Sequence, residues 1–160
     1  MTTVKYEVVR ASPAHARELA ANMAADDAAE VMAAMGHTPE EAVDFAMETC
    51  PEVWAGLADG RVLCLFGLTK ATALGDVGFP WMLATSLLPS HGRAFARWSK
   101  AVVRTWFEDQ GCLTNYVHNA HQRACRWLQW LGFTLYPAEP LGTGMFHRFE
   151  MKRCADQSQQ

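Results

Sequence analysis

HQRACRWLQWLGF, from His121 to Phe133, predicts a helix that stops at a glycine and turns into a strand. Ala124, Trp127, Leu128 and Leu131 recur at i, i+3, i+4 and i+7, the spacing of one helical face. Gly132 follows the last of them. A helix C-terminus needs a left-handed residue there, and glycine adopts that conformation at little cost. Phe133 opens a short strand, FTLY, ahead of Pro137. Upstream, LTNYVHN (Leu113 to Asn119) reads as a strand that leads into the helix.

Outward from this segment the punctuation is clear. Lys5 to Arg10 reads as a first strand, and Ser12-Pro13 caps a helix to about Met23. Asp26-Asp27 start a second helix that ends near Gly36. Thr38-Pro39-Glu40-Glu41 is a capping box that opens a third helix, running to Cys50. Val53 to Ala58 and Arg61 to Thr69 flank Asp59-Gly60, a tight-hairpin dipeptide. Gly75 to Leu87 holds a strand interrupted at Pro80. Proline removes a ladder donor, so it marks a bulge, a splayed edge, or a strand that starts at Trp81. Pro89 to Gly92 reads as a loop. Arg93 to Gln110 is a long helix with Phe95, Trp98, Val102 and Trp106 on one face and Gly111 beyond its end. Two terminal strands follow, the last from Met145 to Lys152. The order β, helices, β, β, β, α, β, α, β, β suits a mixed sheet covered by helices.

The 160 residues fit one domain, expected over 1–153, with a polar tail at 154–160. Half of them are hydrophobic, enough for a substantial core. No apolar run reaches the ~18 residues of a membrane span, and MTTVKYEVVR lacks a signal segment. The five cysteines are odd in number and show no CxxC pair, which argues against a disulfide framework or a metal site and for a reducing, cytoplasmic setting. Residues 1–60 carry 3 basic and 11 acidic side chains, residues 61–160 carry 11 and 6, so −8 faces +5. Arg93, Arg97, Lys100, Arg104, Arg123 and Arg126 suit an anionic ligand, or form a solvated helix face. The net charge of −3 and the lack of recognition-helix or zinc-finger spacing argue against nucleic acid.

The strand, the position at His121, Ala124 three residues on and Gly132-Phe133 eight beyond it resemble the C-terminal half of the GNAT (Gcn5-related N-acetyltransferase) fold. The resemblance covers roughly residues 4 to 151. It implies an α/β (α+β) fold with a mixed, mostly antiparallel sheet, a central splayed strand pair and flanking helices. It also implies acetyl-CoA or CoA as cofactor, with the acyl-pantetheine arm beside Trp81, Met82 and Leu83 and against the helix that carries His121 and Leu128. The family's pyrophosphate loop, Arg/Gln-x-x-Gly-x-Gly/Ala, is matched in part by Pro89-Ser90-His91-Gly92-Arg93-Ala94. His91, Gly92, Arg93 and Ala94 are the expected phosphate contacts, with Pro89 in place of the Arg or Gln.

Acyl transfer to an amine needs a base and an acid. His118 is the candidate base. Many members place a tyrosine acid seven residues after the position matched by His121, and here that place holds Leu128. Tyr116 is the substitute, on the same strand face as His118. Acceptor sites of the family draw on segments equivalent to Met23–Cys50 and Tyr136–Phe146. The acidic face of Glu40, Glu41, Asp44 and Glu48 either attracts a cationic amine or is a soluble helix face.

A narrower resemblance is to acyltransferase-like and internal virion proteins of tailed phages. It rests on Pro80-Trp81-Met82-Leu83-Ala84-Thr85, Phe95 with Ser99-Lys100, Asn115-Tyr116-Val117, and Arg126-Trp127-Leu128 with Trp130-Leu131-Gly132-Phe133. Two functions follow as expectations. One is an acetyl-CoA-dependent N-acyltransferase acting on a small-molecule or protein amine. The other is an inactive phage protein with a virion or host partner, in host cytoplasm or packaged in a virion. Trp130 or the terminal strand offers a homodimer contact.

Overall fold

The computed structural model describes residues 2–154; residues 155–160 of the expected tail lie outside the described residues. The elements are β1 (Tyr6–Arg10), α1 (Pro13–Asn22), α2 (Ala25–Met35), α3 (Pro39–Thr49), β2 (Val53–Ala58), β3 (Arg61–Lys70), β4 (Val77–Ala84), α4 (Gly92–Gln110), β5 (Cys112–His118), α5 (Gln122–Leu131), β6 (Thr134–Leu135), β7 (Glu139–Leu141) and β8 (Gly144–Lys152). The residues that form them obey the local rules. Ser12 and Thr38 close capping boxes, with His15 and Glu41 reaching back. Gly36, Gly111 and Gly132 end α2, α4 and α5 in left-handed conformations.

Three details differ from the sequence reading. Residues Leu88–His91 form a 3-10 turn instead of a loop. The strand at Pro80 is continuous: Pro80 pairs opposite Leu68 in an unbroken β3–β4 register. A short β7, unforeseen, pairs with β8 ahead of the last strand.

The sheet order is β1-β2-β3-β4-β5-β8-β6, with β7 also on β8. Every pairing is antiparallel except β4 with β5, which is parallel and confined to Val77↔Cys112 and Gly78↔Leu113. Beyond those two pairs the strands diverge. Gly78 sits at the apex, where an added Cβ would come within 2.7 Å of Leu68 Cδ1 and 3.1 Å of Leu113 Cδ2. The close approach of the two strands depends on the missing side chain.

Alternation sorts the two faces. Leu65, Leu83 and Trp81 pack with Leu19, Val31 and Val43 under α1–α3. Phe66, Ala84 and Met82 pack with Phe95, Trp98 and Trp106 of α4. Leu113, Val117 and Phe149 pack with Cys125, Leu128 and Leu131 of α5.

Candidate active site

The site is the gap between the diverging strands. In a strand, the N–H and C=O of one residue point to the same edge, and successive residues alternate. The Thr85 N–H donates to Leu63 of β3, so Ala84, Met82 and Pro80 turn their backbone groups toward β5. Pro80 therefore loses no ladder bond, because its missing donor faces the gap. Its carbonyl accepts from Asn115 Nδ2 at 2.9 Å. The Ala84 carbonyl accepts from Ala24 N–H, and the Ala84 N–H donates to Asp27 Oδ2 at 2.8 Å. Met82 is left with its N–H and C=O on the open edge, beyond the two residue pairs that join β4 to β5, with no partner among the described residues. On the β5 side, Glu30 Oε2 accepts from His118 N–H at 2.9 Å. Helix α2 thus spans the ends of both strands, holding one with Asp27 and the other with Glu30.

A cavity of about 550 Å³ occupies the gap. Its walls come from both faces of the sheet: Phe45, Val31 and Trp81 on the α2–α3 side, Trp98, Trp127 and Leu128 on the α4–α5 side. It therefore runs through the sheet between β4 and β5. Among the described residues its charged or titrating lining groups, tyrosine apart, are Asp27, Glu30 and His121. His121 Nε2 lies 3.1 Å from Asp27 Oδ1, and its Nδ1 is buried with no hydrogen-bond partner among the described residues.

The electrostatics follow from this packing. Burial pushes the Glu30 carboxyl up to about 6, against the His118 N–H and the charge of His121, which pull it down. Burial lowers the His121 pKa, but the Asp27 hydrogen bond and the charges of Asp27, Glu30 and Asp26 outweigh it and hold it above its ordinary value. The waist of the cavity carries a carboxyl raised to about 6 beside an imidazole whose pKa is also raised.

The sequence-derived candidates divide. Trp81, Met82, Leu83, Tyr116, His121 and Leu128 all line the cavity. His118 is not among the lining residues. Its Nδ1 accepts from Ala120 N–H at 3.3 Å and its ring meets Phe146 edge-on at 5.0 Å. His91, Gly92, Arg93 and Ala94 form the start of α4, outside the cavity walls. His91 Nδ1 bonds Tyr6 Oη at 2.7 Å, tying the 3-10 turn to the edge strand. Among the described residues no side chain caps α4, and a Cβ on Gly92 would meet nothing within 4 Å. Its first turn is thus free of a competing side chain. Asp27, Glu30 and Asn115 were missed by the sequence reading. The available signal was Asp27, Glu30 and Val31 at helical spacing on one stripe of an alanine-rich helix, although the core-facing stripe of a helix is ordinarily apolar.

No family model matches the chain, and no curated protein matches it by sequence. Solved structures do match. A GCN5-related N-acetyltransferase from Kribbella flavida aligns with a TM-score of 0.63 at 15% identity, over 92% of this chain and 98% of that one. Spermidine N-acetyltransferase from Vibrio cholerae, in complex with CoA and spermine, gives 0.64 at 11% identity, over 91% and 94%. RimL, a ribosomal L7/L12 alpha-N-protein acetyltransferase in complex with coenzyme A, gives 0.65 at 9%, over 92% and 93%.

The chain has the GNAT fold.

Within that fold the chain keeps the splayed pair and the helix start after β4. The cationic residues of α4 continue from that start. Arg93, Arg97, Lys100 and Arg104 lie in one groove with Trp130 of α5, and Lys100 Nζ sits 4.7 Å from the Trp130 ring. None of these four cations makes an ion pair among the described residues. Among the described residues no helix is long and apolar enough to cross a membrane.

Proposed function

We propose that this GNAT-fold protein is an acyl-CoA-dependent N-acyltransferase. The observation that carries the reading is a cavity running through the sheet at the splayed strands, with Glu30 at its waist. The residues present fit the cofactor the fold implies. Met82 offers an unpaired N–H and C=O to an amide arm. The uncapped first turn of α4, His91 to Ala94, offers backbone N–H groups and a positive helix end to a pyrophosphate. The groove of Arg93, Arg97, Lys100 and Arg104 adds positive potential along the same helix.

An acyl thioester of CoA, when bound, supplies an acyl carbon open to attack by an amine. The chain's own part is proton handling and exclusion of water. Glu30, with a pKa of about 6, is ionised at neutral pH and takes the proton that an ammonium must lose before its nitrogen is nucleophilic. It replaces His118 as base in this reading. His121, its pKa raised by the hydrogen bond and charge of Asp27, is placed to act as the acid of the site, the part that Leu128 cannot play. Tyr116 lies on the partly exposed rim.

Calorimetric titration with acetyl-CoA and CoA tests this, with Gly92→Asp as control. The open surroundings of Gly92 let an aspartate in without a clash, and its carboxylate would compete with phosphate for the helix end. A micromolar Kd lost in Gly92→Asp is the expected result. No binding at millimolar cofactor would overturn the reading and leave the non-catalytic phage role, with a virion or host protein partner.

A further inference from the structure

We propose that the acceptor is a small monoamine with an apolar body, an alkylamine or arylalkylamine, bound on the α2–α3 side of the cavity with its nitrogen at Glu30. The inference rests on the N-acyltransferase reading for its chemistry, but its binding site stands on separate observations.

The chamber on this side is walled by Val31 and Met35 of α2, Phe45 of α3, Trp81 of β4, and Leu141 and Phe146 of the β7–β8 hairpin. Its rim is apolar as well. Met35, Phe45, Tyr116 and Leu141 line the cavity and yet are 49%, 46%, 38% and 36% exposed. Four large apolar side chains around one opening cost solubility unless a ligand covers them. The hairpin is seated closely on α2, with Thr143 N–H on the Ala33 carbonyl at 2.8 Å, so the chamber is closed on that flank.

Charge sets the rest. Among the described residues no lysine or arginine lines the cavity. A free amino acid would bring a carboxylate into an apolar chamber that offers it no cation, beside two acidic groups. Both Asp27 oxygens are engaged, one by Ala84 N–H and one by His121. Glu30 uses Oε2 for His118 N–H, and its Oε1 accepts from no donor among the described residues. One free carboxylate oxygen at the end of an apolar chamber suits a single ammonium. A polyamine needs further anions, and the acidic residues of α3 do not supply them: Glu40, Glu41, Asp44 and Glu48 are exposed and absent from the lining.

The test is titration of the full chain near neutral pH with 2-phenylethylamine, phenylalanine and spermidine, each with and without CoA, followed by calorimetry and by the NMR shifts of Val31 and Phe45. We expect 2-phenylethylamine to bind about tenfold or more tightly than either competitor, because an unpaired carboxylate or second ammonium is costly in the chamber. Glu30→Gln keeps an acceptor for His118 N–H and should lose that preference for the amine. Phe45→Asp, at the exposed rim, should weaken the apolar amine and leave CoA affinity unchanged. Equal or tighter binding of phenylalanine or spermidine overturns the proposal, as does CoA binding without amine binding, which leaves the transferase reading standing. Amine binding with no CoA binding supports the chamber and removes the transferase reading instead.

Discussion

His121 Nε2 and Asp27 Oδ1 lie 3.1 Å apart, joining the N-cap of α5 to the first turn of α2 across the open end of the strand pair. The second Asp27 oxygen holds β4 through Ala84 N–H. One carboxylate therefore links two helices and a strand around the cavity.

Asp27→Ala should accordingly destabilise the fold by about 2 kcal/mol or more, because it strands a buried N–H and a paired imidazole together. Chemical denaturation checks this. In Asp27→Asn, which keeps the shape, NMR titration should find the His121 pKa lowered relative to the parent chain. An unchanged His121 pKa would show that Asp27 does not hold its proton.

Stability should fall as pH rises from about 4.5. The Glu30 carboxyl goes from 4.5 to about 6 on folding, so the folded state holds a proton that the unfolded state releases. That contribution is complete below 4.5 and is lost as pH rises through 6, by no more than about 2 kcal/mol. His121, raised above 6.5, acts in the same direction: its contribution is present below 6.5 and is lost as pH rises through its folded value. Thermal unfolding of Glu30→Gln across this range should show a flatter profile between pH 4.5 and 6 than the parent.

Gly142 has φ of +57°, and an added Cβ would fall 2.1 Å from the Ala33 carbonyl oxygen. Gly142→Ala should cost about 1–2 kcal/mol for the left-handed backbone alone, before the clash. The hairpin should lift from α2, so the Thr143 amide should exchange with solvent faster. Unaltered exchange would mean that the hairpin is not seated on α2 as described.

Asn115 stands in for the missing ladder where β4 and β5 part, donating to Pro80 O and accepting from its neighbour Tyr116 N–H. Asn115→Leu removes both bonds and should destabilise by roughly 1–3 kcal/mol. An amide-exchange map should place the loss at β4 and β5, with β1 and β2 unaffected.

CoA affinity should depend on salt. Charge-neutralising Arg97→Gln with Lys100→Gln should weaken it at low ionic strength, and the difference should shrink as salt screens the groove. A salt-independent difference would point to packing against Trp130 as the cause.

Most of the element order was legible because it is written in local chemistry. Capping boxes, the Asp59-Gly60 turn and the helix-ending glycines act through neighbours a few residues away, so Thr38, Gly111 and Gly132 announce their roles wherever the chain goes. The apolar stripe of α5 likewise named the residues that reach the cavity, Leu128 among them. Pro80 announced a break but left it ambiguous, because the direction of its missing donor depends on the neighbouring strand. Tertiary structure decided that it faces the gap. It also decided the waist of the site. Asp27 and Glu30 are 94 and 88 residues from the partners they meet in His121 and His118. Nothing near them in sequence separates a carboxylate in a helix's first turns from one that is buried and titrates near pH 6. Burial and hydrogen-bond partners set that difference, and both exist only once α2 has closed across the two strands.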